Sequence, residues 1–148
     1  MASFTLLREI DAPPETVFDV LTDHRLYSKL TSLRKAELEK EGEPSPNGVG
    51  AIRVLSALGP PMREEVIVYQ RPERFSYTVL SGLPVRDHIG TVSLEPAGNG
   101  RTKVTYALRT TPTVPVAGGV VVAVVKQAIK QLLNGVSTES ERRAASGA

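Results

Sequence analysis

Hydrophobic and polar residues alternate over the first ten positions of the chain and then change to a helical spacing. Apolar side chains fall on one side of residues 3–10, which predicts a half-buried strand. Residues 11–15 then offer a cap, prolines suited to a first helical turn and an acid near the positive helix end. Apolar positions recur at helical spacing over residues 17–21 and residues 26–30, so we expect two short helices in succession.

From Ser32 to Thr110 the pattern is that of an antiparallel sheet. Turns rich in proline and glycine separate runs of strand length, and six strands fit in this interval. Short reversals favour the pairing of each strand with the next. The clearest strands, which are rich in valine, threonine and tyrosine, are residues 64–70, 75–81, 87–95 and 102–109.

The end of the chain has a helical pattern. Pro115 suits a helix start, and we expect the helix to run from about Val116 to Arg142, with residues 143–148 frayed. A helix of that length is about 40 Å long, enough to cross a whole sheet. Because no repeat or linker divides the chain, we expect one domain over residues 1–148. The apolar stripe of the helix consists of Val121, Val125, Ala128, Leu132 and Val136, flanked by Ile129 and Leu133.

Composition and charge exclude several classes of function. The 148 residues are 41% hydrophobic and 23% charged, which is typical of a globular domain. The net charge is only +2 and neither sign forms a long block, so we predict no nucleic-acid partner. The absence of cysteine excludes disulfides, zinc–thiolate sites and iron–sulfur clusters.

The apolar segments also bear on location. The N-terminal residues lack the basic start and apolar core of a signal peptide. The apolar run from Val114 to Val125 is interrupted by proline and glycine, and it is shorter than the roughly 20 residues that span a bilayer. We therefore expect a cytoplasmic protein without stable membrane insertion, as a monomer or homodimer.

The order of the predicted elements resembles that of the START-like superfamily, also called SRPBCC. Ile10–Asp23 is similar to the opening of these proteins, with an aromatic at the position of Phe18. Arg71–Tyr77 is similar to their mid-sheet turn, and Gly90–Pro96 with Gly100–Tyr106 is similar to their last hairpin. The superfamily includes polyketide cyclases/dehydrases, lipid-transfer domains and the birch-pollen allergen.

The resemblance covers nearly the whole chain and implies a helix-grip fold of the α+β class. In that fold a curved antiparallel sheet of about seven strands, in the order β-α-α-β6-α, wraps around a long C-terminal helix. It implies a cavity between the concave face of the sheet and the helix, which holds a lipid, polyketide, isoprenoid or other apolar ligand. Small-molecule sites are typically concave and mostly apolar, with a few polar groups.

Strand and helix periodicity selects the side chains that we expect in this cavity. Tyr77 and Tyr106 could orient a carbonyl or hydroxyl of the ligand, although core packing alone would also explain them. Glu64 could form a buried pair with Arg53 that anchors a polar ligand end, but we expect a solvated cross-strand ion pair of small energetic weight. The predicted ligand-contacting residues are Tyr27, Glu64, Val66, Phe75, Tyr77, Val79, His88, Val92, Tyr106, Val121, Val125 and Ala128.

His88 and Tyr106 are the candidates for a catalytic role. His88 is one of two histidines and lies in an otherwise apolar strand pattern, where a shifted pKa could serve proton transfer. A structural histidine with a hydrogen bond explains the same pattern. His24, beside Asp23, is expected at the surface. The chain has no phosphate loop, zinc-binding spacing or nucleophile turn, and we predict no metal and no cofactor.

The leading hypothesis is a protein that binds a hydrophobic small molecule in its internal cavity. The alternatives are a polyketide cyclase, aromatase or dehydrase that uses the same cavity, and an accessory or stress-related interaction module without a ligand. Residues 81–84, Ser-Gly-Leu-Pro, match the gate loop of the plant hormone receptors of the superfamily. That match implies a lid over the cavity, although the segment is also a plain hairpin connection.

Overall fold

The computed structural model describes residues 1–57, 59–114 and 117–147. The predicted order of a strand, two short helices, six strands and a long helix is confirmed. A 3-10 turn over His24–Leu26 leads into the second helix. The bounds are β1 Ala2–Ile10, α1 Pro14–Thr22, α2 Tyr27–Leu30, β2 Lys35–Lys40, β3 Ile52–Ser56, β4 Met62–Gln70, β5 Arg74–Ser81, β6 Val85–Gly98, β7 Arg101–Pro112 and α3 Gly118–Gly147.

The seven strands form one antiparallel sheet in the order β1-β7-β6-β5-β4-β3-β2. The strands β2 to β7 pair sequentially, as predicted, through short connections except for the longer one between β2 and β3. Asn99 and Gly100 adopt φ angles of 55° and 72°, which suit the tight turn between β6 and β7. The first strand pairs with the last at one edge of this curved sheet, and α3 contacts both of these strands.

The predicted alternation holds in β6 and β7, where His88, Val92, Tyr106 and Leu108 are all buried. In β4 the inward positions are Glu64, Val66 and then Tyr69, so the strict alternation is interrupted. The β4–β5 pairing shifts register between Val66 and Val68, and such a bulge changes which side chains face inward. As a result the Tyr69 ring packs against the core.

One end of the grip is filled by helices. Phe18 of α1 packs edge-to-face on Tyr69 and on Phe75, with ring centroids 5.1 and 6.4 Å apart. The second half of α3 is buried through Leu133 and Val136. Its Gly135 lies against α2, so close that an added Cβ would be 2.6 Å from Leu30 Cβ. Apolar packing and close backbone approach therefore close this end of the molecule.

The ends of α3 differ from the prediction. The helix continues to Gly147, beyond the predicted end at Arg142, and residues 143–147 form its last turns because Ala144 still packs against the core. The predicted start at Pro115 and Val116 lies outside the described residues.

The first half of α3 is apolar but exposed. Val120 and Val124 are 65% and 61% exposed. Among the described residues, α3 is the only helix that passes a membrane-span test on length and composition, with a mean hydropathy of 1.2 over 18 residues, 28% of them buried. The core helix of a globular protein passes the same test. The expectation of no membrane insertion stays a prediction.

The α1–α2 connection differs from the expectation at one residue. The Asp23 carboxylate caps the 3-10 turn by accepting from the Arg25 backbone N–H at 3.2 Å. His24 is buried, whereas we expected it at the surface. Its Nδ1 pairs with the Asn47 side-chain oxygen, because the β2–β3 connection folds over this turn.

Candidate functional site

A cavity of about 420 Å³ lies between the concave face of the sheet, α2 and the first half of α3. This volume is in the range of small-molecule sites, roughly 300–1,000 Å³. Exposed residues of the connections and of α3 form part of the wall, among them Ser32, Pro60, Val124 and Ala128. The cavity therefore opens to solvent on the side where α3 is least covered.

The wall contains several of the predicted ligand-contacting residues. These are Tyr27, Glu64, Tyr77, His88, Tyr106, Val125 and Ala128. Contact with a ligand stays a prediction for each of them. Arg53, considered only as the partner of Glu64, also lines the cavity. The sequence interpretation missed further lining residues, which include Leu33, Leu55, Met62, Leu83, Val124, Ile129 and Leu132.

The remaining predicted contacts do not line the cavity. They are Val66, Phe75, Val79, Val92 and Val121. Val66, Phe75 and Val92 are inward and fully buried, but they lie in the packed core and not at the hollow. The physical reason is that alternation predicts which side chains of a strand face inward, but not which of them lie next to the cavity and which lie in the packed core.

A buried ion pair forms the floor of the cavity. Arg53 and Glu64 stand directly opposite each other in the β3–β4 register. Arg53 Nε and Nη2 lie 2.9 and 2.8 Å from Glu64 Oε1. The side chains are only 4% and 5% exposed, so our expectation of a solvated pair is wrong.

The sequence carried a signal for this burial. Arg53 alternates with Ala51 and Leu55, and Glu64 alternates with Val66, so both charges occupy apolar inner faces. Charged groups at such positions are stable only when they are paired and hydrogen-bonded.

Aromatic rings surround the Arg53 guanidinium. Its carbon lies 5.1 Å from the ring centroids of Tyr27, Phe75 and Tyr77. Its Nη1 also donates to the Tyr27 hydroxyl at 3.1 Å, and that hydroxyl donates to the Leu21 carbonyl oxygen at 2.5 Å. Cation–π contacts strengthen when the cation is desolvated, so the rings and Glu64 together hold the charge away from water.

A second polar feature of the floor is a pair of tyrosine hydroxyls. The hydroxyls of Tyr77 and Tyr106 are hydrogen-bonded to each other, and both residues line the cavity. Burial raises the pKa of Tyr77, and burial followed by the nearby Tyr77 raises the pKa of Tyr106 well above its ordinary value. Both phenols are therefore neutral at physiological pH and keep their hydrogens.

His88 lies in the wall beside this pair, with its ring centroid 6.2 Å from that of Tyr77. Its Nδ1 is 3.0 Å from the Thr110 hydroxyl, which fixes the ring and leaves Nε2 for a ligand. Burial lowers the pKa of His88 from 6.5 to about 4. The imidazole is therefore neutral near pH 7, and its lowered pKa makes it a weaker base than a free histidine.

The hydrogen-bond inventory decides what the floor can recognise. Guanidinium has five N–H donors, and Arg53 uses three of them on Glu64 and Tyr27. The tyrosine pair uses one of its two hydroxyl hydrogens. Donors therefore remain to bind an oxygen of a ligand, within a floor whose two formal charges cancel.

The connection over residues 81–84 contributes Gly82 and Leu83 to the wall. Gly82 has a φ of 96°, and a Cβ there would be 2.3 Å from the Pro61 carbonyl oxygen. The β5–β6 connection, which contains Gly82, therefore contacts the β3–β4 connection, which contains Pro61, at the mouth of the cavity. The role of this loop as a lid stays a prediction.

Metal binding has no support among the described residues. Over residues 1–57, 59–114 and 117–147, no group of three or more His, Cys, Asp or Glu side chains could hold an ion.

The sequence profile of the family described as "Polyketide cyclase / dehydrase and lipid transport" matches residues 1–141. No curated protein is significantly similar to the chain.

Solved structures share the fold over most of the chain. The ZhuI aromatase/cyclase from a Streptomyces species is 22% identical with a TM-score of 0.77, covering 96% of this chain and 94% of that one. A START superfamily protein from Mycobacterium smegmatis is 17% identical with a TM-score of 0.69, covering 99% of each chain. A point mutant of norcoclaurine synthase from Thalictrum flavum is 14% identical with a TM-score of 0.70, covering 93% and 92%. At these identities the likeness concerns the fold.

The buried pair generates a prediction about stability. Arg53→Met or Glu64→Leu alone leaves one uncompensated buried charge, so each should lower the free energy of unfolding by about 3–5 kcal/mol. The double variant removes both charges, so its free energy of unfolding should fall less than that of either single variant. Urea denaturation of the three variants measures this coupling, and losses that simply add would contradict a coupled buried pair.

The lowered pKa of His88 predicts a pH dependence of stability. Between pH 6.5 and about 4 the unfolded state binds more protons at this site than the folded state. The contribution of His88 to the free energy of unfolding is therefore fully present above pH 6.5 and is lost as the pH falls toward 4. This loss amounts to about 3 kcal/mol. His88→Gln should therefore unfold with a weaker pH dependence between pH 4 and 6.5. Parallel curves for wild type and variant would refute the assignment.

Proposed function

This chain belongs to the polyketide cyclase / dehydrase and lipid transport family, and from that premise we propose that it binds an apolar small molecule carrying a neutral carbonyl group. Family membership supports a hydrophobic-ligand or cyclase-type function. The choice of ligand rests on the cavity. Its single most informative feature is the polar floor of Arg53, Glu64, Tyr77 and Tyr106 beneath apolar walls.

The apolar walls provide the affinity in this proposal. Side chains such as Leu55, Ile129 and Leu132 remove the ligand's hydrocarbon surface from water, worth about 25 cal/mol per Å² before binding costs. The hollow of about 420 Å³ is the observation that speaks against an interaction module without a ligand.

The floor provides the specificity. A carbonyl oxygen accepts hydrogen bonds, and the remaining hydroxyl and guanidinium hydrogens are donors. A carboxylate would also accept, but it would add a third charge to a buried pair that is already neutral overall, and an uncompensated buried charge is costly. The floor therefore favours a ketone, lactone or quinone over a fatty acid.

The neutral imidazole of His88 favours a second candidate function, a cyclase- or dehydrase-type enzyme. In a β-hydroxy ketone bound at the floor, His88 would take the proton from the carbon beside the carbonyl as that C–H bond breaks. A carbon–carbon double bond forms, the C–O bond breaks, and the leaving hydroxide takes a tyrosine proton to depart as water. His88 then returns its proton to the tyrosinate, so the protein ends unchanged.

We propose no cofactor, metal or nucleic acid for either function, action as a monomer or homodimer, and a cytoplasmic location. Both proposed functions need only side chains that line the cavity of this chain.

Matched tricyclic probes test the binding proposal. Wild-type protein should bind 9-fluorenone more tightly than fluorene, which lacks the carbonyl, and more tightly than fluorene-9-carboxylate at pH 7. Tyr77→Phe combined with Tyr106→Phe removes both hydroxyls, leaves no unpaired partner, and should reduce the fluorenone-to-fluorene preference about fivefold, the worth of one hydrogen bond of about 1 kcal/mol. Isothermal titration calorimetry measures the three affinities.

Tyr69→Phe is the control, because Tyr69 packs on Phe18 and does not line the cavity. It should keep the wild-type preference. Equal affinities of wild type for fluorenone and fluorene, or tighter binding of the carboxylate, would overturn the proposed ligand class.

Water loss from 4-hydroxy-4-(2-naphthyl)butan-2-one, followed by the absorbance of the enone, tests the enzyme candidate. Wild-type protein should accelerate this reaction, and His88→Gln should slow it about 100-fold, since general base catalysis contributes that much or more. Tyr69→Phe should have no effect. Binding of the ketone without any acceleration would reject the enzyme and leave the binding protein.

A further inference from the structure

We infer that Gly90 is a positioning residue of the cavity: the absence of a side chain at this position seats the Tyr77 ring on β6 and thereby fixes the hydroxyl pair of the floor. The inference rests on the proposed function where it concerns ligand choice, but the geometry of the ring stands by itself.

The Tyr77 ring occupies the space where a side chain at position 90 would lie. Gly90 stands opposite Tyr77 in the β5–β6 register. A Cβ on Gly90 would lie 2.5 Å from Cε1 and Cζ of the Tyr77 ring and 2.6 Å from its hydroxyl oxygen. Side chains opposite each other normally stand side by side, about 4.5–5.5 Å apart at Cβ. Here the ring instead leans across the partner strand, into the volume that a side chain would occupy.

The backbone conformation at position 90 does not itself require glycine. Gly90 does not have the positive φ that favours glycine, unlike Gly82 or Gly98. Glycine inside a strand weakens the strand, and it often marks a close approach of another group. Since backbone conformation does not require glycine here, the Tyr77 ring is the feature that does.

The β6 backbone is held in place by hydrogen bonds around Gly90. The Gly90 carbonyl oxygen accepts a hydrogen bond from the buried Ser76 hydroxyl at 2.8 Å. The strand is also paired on both sides, with β5 and with β7. A side chain at position 90 would therefore displace the Tyr77 ring and not the strand.

A displaced ring changes the chemistry of the floor. The ring now lies under the Arg53 guanidinium at 5.1 Å, and its hydroxyl meets that of Tyr106. Rotation away from β6 would carry the hydroxyl toward the hollow and separate it from Tyr106. Gly90 thus sets the orientation of the donor that the carbonyl of a ligand would meet, without touching the ligand itself.

The experiment compares Gly90→Ala with Gly135→Ala. Both substitutions place a Cβ within 2.6 Å of a neighbour, but Gly135 lies against Leu30, outside the wall of this cavity. Both variants should lose stability. Only Gly90→Ala should lose the fluorenone-to-fluorene preference, about fivefold, and adding it to the Tyr77→Phe/Tyr106→Phe variant should change the preference no further.

A readout without ligand separates this inference from the proposed function. Proton NMR of the wild type should show a slowly exchanging, downfield tyrosine hydroxyl signal that Tyr106→Phe removes. Gly90→Ala should also remove it, and Gly135→Ala should keep it. If wild type shows no preference for fluorenone while the signal behaves in this way, the ligand class fails and the role of Gly90 stands.

Retention of the hydroxyl signal and of the preference in Gly90→Ala would overturn the inference. If Gly90→Ala does not fold, then Gly90→Ala/Tyr77→Leu, which removes the ring, should recover a cooperative unfolding transition. Failure of this double variant to fold would show that the strand and not the ring excludes a side chain, and would equally overturn the inference.

Discussion

The arrangement of the cavity depends on a guanidinium and a carboxylate that are held together out of water. Desolvation of two charges is costly, and only close pairing, added hydrogen bonds and polarisable surroundings offset it. The β3–β4 register places Arg53 opposite Glu64, Tyr27 takes a third hydrogen bond, and aromatic rings cover the guanidinium. The pair thereby becomes a fixed polar floor in an otherwise apolar grip.

The two halves of α3 have different roles in the space that the sheet encloses. Leu133 and Val136 in the second half of α3 are buried where this helix packs against α1, whereas Val125 and Ala128 in the first half line the cavity. At the closed end the rings of Phe18, Tyr69 and Phe75 pack edge-to-face and fill the space between α1 and the sheet. The cavity therefore lies beside a packed end of the molecule, under the first half of α3.

The sequence predicted the fold well because its signals are periodic and local. Turn residues and alternation gave six strands between Ser32 and Thr110, and the amphipathic pattern gave the last helix. The site was predicted less completely. Tyr77, His88 and Tyr106 follow from alternation, but alternation cannot distinguish Phe75, which packs on Phe18, from Tyr77, which lines the hollow. Burial of Arg53 with Glu64 depends on how β3 pairs with β4, and β3 follows a long connection whose course the sequence does not predict. The contact of the Tyr77 ring with Gly90 depends on the register between β5 and β6.

The central claim is that a neutral, donor-bearing floor recognises a carbonyl oxygen at the base of an apolar cavity. A crystal structure of the protein with bound 9-fluorenone tests it most directly. The account predicts the ring system between α3 and the sheet, with its oxygen within about 2.6–3.2 Å of a hydroxyl of Tyr77 or Tyr106 or of an Arg53 nitrogen. Density for the ketone outside the cavity, or a carbonyl that points to the mouth between Pro60 and Val124, would contradict the account.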